Sequence, residues 1–154
     1  MVSLLESVFP DLGPGNYRVT SPDTRRYNCI AWAAGDAENW WWPTSQGEVI
    51  HWPTGSPREE TLAAFEAAFA TLGYAVCDTE QPEDGFEKVA LFAYSDGRPT
   101  HAARLLDTGF WTSKLGERED IEHRLHDLAG DVYGRVVLIM KRVRSATVAD
   151  AGGS

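Results

Sequence analysis

Lys88-Val89-Ala90-Leu91-Phe92-Ala93-Tyr94, followed by Ser95-Asp96-Gly97-Arg98-Pro99, is the stretch on which the fold turns. After Lys88 the run is apolar at successive positions, as a strand covered on both faces must be, and it is too short for a buried helix. Aspartate, glycine and proline then mark a reversal. Thr100 to Leu106 follows, Thr108-Gly109 marks the next turn, and Phe110 to Leu115 completes a predicted three-stranded meander whose middle strand opens at His101.

Outward from this meander, Tyr74-Ala75-Val76-Cys77 reads as a short strand and Arg135-Val136-Val137-Leu138-Ile139-Met140 as a last, interior one. Towards the amino terminus the period becomes helical. Leu4 to Phe9 forms a turn stopped by Pro10, and Asn28-Cys29-Ile30-Ala31-Trp32-Ala33-Ala34 is apolar all round, the pattern of a buried helix ending at Gly35. Ser56-Pro57-Arg58-Glu59 has capping-box spacing ahead of Leu62, Phe65, Phe69 and Leu72. Asp120 to Ala129 is predicted to be a further helix, with Ile121, Leu125 and Leu128 on one face and Asp120 and Glu122 compensating its positive end. Helices lead and strands dominate later, so the expected fold class is α+β, a buried amino-terminal helix packed on an antiparallel sheet of about 4–6 strands.

The 154 residues suit a single domain, expected over 1–144, with the small and polar segment 145–154 as a mobile tail. A hydrophobic fraction of 43% and a charged fraction of 24% argue against disorder. The net charge of -9 argues against nucleic acid, which demands a basic stripe. The one dense basic run, Lys141-Arg142-Val143-Arg144, reads as a solubilising edge or gatekeeper. Met1 to Ser7 has no basic n-region and no apolar run is long enough to span a membrane, so the expected location is cytoplasmic, with no membrane partner. Two cysteines make no disulfide framework and are expected to be free thiols. Phosphate-loop, dinucleotide and GxSxG serine-hydrolase motifs are missing, and no cofactor is expected.

The chemistry therefore rests on cysteine and histidine. A thiol attacks as thiolate, and a helix amino terminus or a nearby imidazole favours that form. Cys29 is predicted to sit in the first turn of its helix. Of His51, His101, His123 and His126, the best placed to serve it is His101, which follows a turn and opens a strand. Cys77 reads as a core residue. His123 and His126, spaced three apart on the predicted helix, read as a solvated face; no thiol or carboxylate completes a zinc pattern, so no metal site is expected. Trp40, Trp41, Trp42 and Trp52 are candidates for a stacking platform beside the cysteine, with core packing as the competing use.

Tyr27-Asn28-Cys29-Ile30-Ala31-Trp32-Ala33, Thr100-His101-Ala102-Ala103 and Phe110-Trp111-Thr112-Ser113 occur in the order helix cysteine, strand histidine, polar residue on the next strand. This order resembles the papain-like cysteine hydrolases, especially their compact NlpC-type and CHAP branches. The resemblance implies a papain-like arrangement with Cys29 as nucleophile, His101 as base and acid, and Ser113 orienting the imidazole. It also implies a supporting role for Asn28, with the Cys29 backbone N–H in an oxyanion hole. Trp111 to Gly116 together with Asp120-Ile121-Glu122-His123 also looks like a bacterial domain family of uncharacterised function. Two functional expectations follow. One is a hydrolase or acyl-transferase acting on an amide, isopeptide or thioester bond of a peptide-like substrate. The other is a non-catalytic acidic domain of immunity or adaptor type that binds a protein partner.

Overall fold

Residues 4–13, 16–44, 50–115 and 118–144 are described by a computed structural model of the chain. Its described strands are β1 (Arg18–Ser21), β2 (Ala75–Cys77), β3 (Phe86–Ala93), β4 (Pro99–Leu105), β5 (Trp111–Lys114), β6 (Asp120–His123) and β7 (Arg135–Val143). All belong to one antiparallel sheet in the order β1-β6-β5-β4-β3-β7-β2. The helices are short: α1 (Leu4–Val8), α2 (Cys29–Ala34), α3 (Leu62–Ala70) and a 3-10 turn, Leu125–Leu128.

Strand alternation divides the core in two. Val89 and Leu91 of β3, with Ala102 of β4 and Met140 of β7, pack under α2 and α3. Ala90 and Phe92, with Ala103, Trp111 and Ile121, pack against Leu5 and Phe9 near the amino terminus and against Leu125 and Leu128. Successive side chains of a strand point to opposite faces, which is why β3 had to be apolar throughout. Phe65 of α3 is fully buried and meets the edges of Trp42 and Trp52. A buried side chain of that size contributes about 2–3 kcal/mol, so α3 is held mainly by this one face. Lys88 is also fully buried, its ammonium neutralised by Glu83 at 2.7 Å and donating to the Thr79 carbonyl at 2.8 Å.

The expected helix-on-sheet, papain-like arrangement of about 4–6 strands is not what the chain forms. The sheet has seven strands, while α1 spans five residues and α2 six. Two strands account for the difference. Arg18–Ser21 is an edge strand with Val19 half exposed, so it carries little apolar signal. Asp120 to Ala129 is no helix: Asp120–His123 pairs with β5 and β1, and only Leu125–Leu128 winds into a 3-10 turn. Ile121 and His123 then face one side of the sheet while Asp120 and Glu122 face the other.

Two smaller expectations also change. The capping residue of α3 is Thr61, whose Oγ1 accepts from the Ala64 amide, rather than Ser56. The Pro57 carbonyl is taken by the Trp52 indole N–H, which holds that segment out of a helix. The basic run lies at the end of β7, an interior strand, with Arg144 just past it, and its charges are paired: Lys141 with Glu83, Arg142 with Glu87 and Arg144 with Asp107. The tail 145–154 lies outside the described residues. No helix among the described residues is long and apolar enough to cross a membrane.

Gly134, at the head of β7, has φ +74, and a Cβ there would meet the Ala93 carbonyl oxygen at 2.0 Å. Gly35, which ends α2 at φ +90, has open space around it. Gly134→Ala is therefore expected to cost about 3 kcal/mol or more, through strain plus collision, and Gly35→Ala about 1 kcal/mol, through strain alone. Urea denaturation of the two variants checks the ranking, and equal losses would contradict it.

Candidate active site

His101, Ser113 and His123 come from three neighbouring strands and are all buried. They form a continuous chain. His101 Nε2 lies 2.9 Å from Ser113 Oγ, Ser113 Oγ lies 2.7 Å from His123 Nε2, and His123 Nδ1 lies 2.7 Å from the Arg124 carbonyl oxygen. The direction of the protons follows from the last member, because a carbonyl oxygen can only accept. His123 must donate from Nδ1. In its neutral form its Nε2 is then bare and accepts the Ser113 hydroxyl proton, and Ser113 in turn accepts from His101 Nε2–H.

His101 is thereby left with a bare Nδ1. That atom is buried and has no hydrogen-bond partner. Both rings stay neutral at pH 7. Burial holds His101 well below its ordinary value, with His123 nearby adding to the effect. Burial also lowers His123 to about 4, against the opposing pull of the Arg124 carbonyl. The ring of His101 stacks on Tyr133 at 4.0 Å between centroids and meets Phe92 edge-on.

Cys29 opens α2. Asn28 caps the helix, its Oδ1 accepting from the amides of Ala31 and Trp41 while Nδ2 donates to the Trp41 carbonyl. This ties the first turn of α2 to the tryptophan segment. The sulfur lies 4.0 Å from the Thr100 carbonyl oxygen. The ladder between β4 and β5 consists only of the pairs Arg104–Thr112 and Leu105–Trp111, and α2 packs against both strands. The Cys29 thiol and the His101 ring are not hydrogen-bonded to each other.

The expectation that the helix end lowers the proton affinity of Cys29 is corrected. Burial pushes the thiol up to about 11, outweighing the backbone amides of Ala102, Ile30 and Cys29 itself and the charge of Lys114. A six-residue helix has few aligned dipoles to set against desolvation. Tyr133 is a shared neighbour: burial raises its hydroxyl far above the usual range, and the proximity of Cys29 raises it further.

The tryptophans are placed as packing. Trp41 and Trp52 are buried core members, with indole N–H groups bound to Asp36 and to the Pro57 carbonyl. Trp42 packs on Phe65, and Trp40 is half-buried. Cys77 sits half-buried on β2, with its sulfur 3.2 Å from the Thr79 carbonyl oxygen. His126 is exposed and pairs with Glu80, while His123, expected beside it on a solvated face, is sealed inside the sheet. Among the described residues no group of three or more metal-binding side chains assembles. His123 and Tyr133 are the site residues that sequence reasoning misses. The alternation Asp-Ile-Glu-His is the available signal for the first, since a period of two places histidine with isoleucine on the core face.

Acidification tests this arrangement. A histidine with a depressed folded value stabilises fully above its unfolded value near 6.5, and that stability is lost as pH falls towards the folded value. With His123 at about 4, its share of the loss between pH 6.5 and pH 4 is about 3 kcal/mol. Denaturant unfolding of wild type and His123→Asn at both pH values should show that part of the loss missing in the variant. Identical pH dependence would mean that His123 is not buried in its neutral form.

Comparison with known proteins gives a family. No curated protein and no solved structure matches the chain. A domain of unknown function, DUF7689, matches residues 18–141, and the chain belongs to that family.

Proposed function

We propose that the domain is a cysteine hydrolase or acyl-transferase acting on an amide, isopeptide or thioester bond, with Cys29 as nucleophile and His101 as base. One observation carries this reading. The chain from the Arg124 carbonyl delivers His101 with a bare, buried and unpartnered Nδ1, on a strand whose Thr100 carbonyl and Ala102 amide both face the Cys29 sulfur. An unsatisfied buried nitrogen costs about 1–3 kcal/mol, and a role as proton acceptor explains why it is kept.

In the resting state the pair is neutral and closed. Cys29 packs with the sheet face of Ala102 and His101 with the face of Phe92, so attack requires the thiol to leave the Thr100 carbonyl and be brought together with Nδ1 across β4. As sulfur bonds to the acyl carbon, its proton passes to His101, and the same proton then leaves on the departing amine or thiol. Water or another acceptor next gives a proton to Nδ1 as its oxygen or nitrogen attacks the thioester, and that proton returns to sulfur. Ser113 and His123 hold the ring while it is charged. The Cys29 and Ala102 amides beside the sulfur are donors for the oxyanion. A reducing, cytoplasmic setting keeps Cys29 and Cys77 free.

Acyl transfer to the protein from a small thioester, followed by intact and peptide mass spectrometry, tests the reading. The expected result is an acyl group on Cys29, formed at least ~100-fold more slowly in His101→Gln. Acylation confined to Cys77, or a Cys29 rate unchanged by His101→Gln, would overturn it and favour the acidic interaction domain instead.

A further inference from the structure

A cleft of about 680 Å³ opens beside Tyr133, lined by Ala93, Tyr94, Asp96, Arg98, Asp131 and Arg135 among others. That volume suits a small ligand. Its lining includes the small apolar side chains Ala93 and Val137 together with four charged residues. Asp96 and Asp131 are carboxylates, Arg98 and Arg135 guanidiniums, and none of the four forms an ion pair with a described residue. Elsewhere on this sheet opposite charges do pair, as Glu83 does with Lys88 and Lys141 and as Glu87 does with Arg142. Asp96 accepts the Arg98 amide through one oxygen only, and Arg98 lies over the Tyr94 ring, 5.1 Å from its centroid.

We propose that this cleft binds a dipolar, peptide-type ligand carrying both a free ammonium and a free carboxylate, the ammonium received by Asp96 and Asp131 and the carboxylate by Arg98 and Arg135. Unpaired charges of both signs lining one small cleft match a ligand with both signs on a short frame. The cleft and the His101 ring share a wall. Gly130, Asp131 and Gly134 line the cleft, Gly130 and Gly134 bond to each other through two backbone hydrogen bonds, and Tyr133 between them stacks on His101. That the bound peptide is the substrate of Cys29 rests on the acyl-transfer reading; that it binds does not.

Nuclear magnetic resonance titration of the full chain with dialanine, alongside its N-acetylated, C-amidated and doubly blocked forms, separates the two ideas. Dialanine is expected to bind saturably in the millimolar range, shifting the Tyr94, Gly130 and Gly134 amides and the His101 ring. Blocking either terminus, or introducing Asp131→Asn or Arg135→Gln, is expected to weaken binding about tenfold, the loss of one charge-assisted contact. No saturable shift up to ~50 mM dialanine, or equal binding of the doubly blocked peptide, would overturn the proposal. Dialanine binding that is retained in Cys29→Ala, in a protein whose Cys29 takes no acyl group, would leave the cleft assignment standing and remove the acyl-transfer reading alone.

Discussion

A carbonyl oxygen has no proton to give, and the site is ordered by that constraint acting at Arg124. Because His123 must donate to it, each later member of the chain has one remaining role, and the tautomer of His101 is decided three hydrogen bonds away from its free nitrogen. Remove the carbonyl contact and both imidazoles could exchange tautomers at little cost. With it, the ring is held in a single protonation pattern.

The chain exists only because three strands stand in register. Ser113 lies opposite Ile121, which places His123 two residues along on the same face. His101 lies opposite Phe92, which turns it to that face as well. A slip of one residue in either pairing would put one member of the chain on the other side of the sheet. The apolar neighbours Phe92, Ile121 and Trp111 therefore do more than fill volume. Their burial specifies the register, and the register aligns the polar groups.

The central strands are legible in sequence because their pattern is local: an apolar run, a glycine turn, another run. The helix at Cys29 is legible through its all-round apolar run and terminal glycine, while the Asn28 cap emerges only from the structure. What escapes is contextual. Arg18–Ser21 becomes a strand through its partner β6 rather than through its own composition, and Asp120–His123 has spacing compatible with both a helix face and a strand face. Reading that segment as helix sends His123 to solvent and hides the chain behind Ser113. The thiol escapes in a comparable way. A helix end is visible in sequence, whereas the depth at which it lies is a property of the whole packing, and for Cys29 desolvation at that depth outweighs the amides at the helix end. Cys29, His101 and Ser113 can be picked out as chemical types, but not the distances between them.

Depth also bears on how such a site must work. A thiolate and an imidazolium buried together would each need several kcal/mol of compensation, and a single ion pair seldom returns that in a low-dielectric interior. Neutral thiol and neutral imidazole carry no such penalty, so the closed site is stable with the proton on sulfur. On the acyl-transfer proposal, charge would appear only when an acyl carbon arrived, with the amides of Cys29 and Ala102 and the chain through Ser113 already oriented around it. The Tyr133 segment is the element common to both regions, since its ring stacks on His101 while its neighbours Asp131 and Gly134 line the charged cleft.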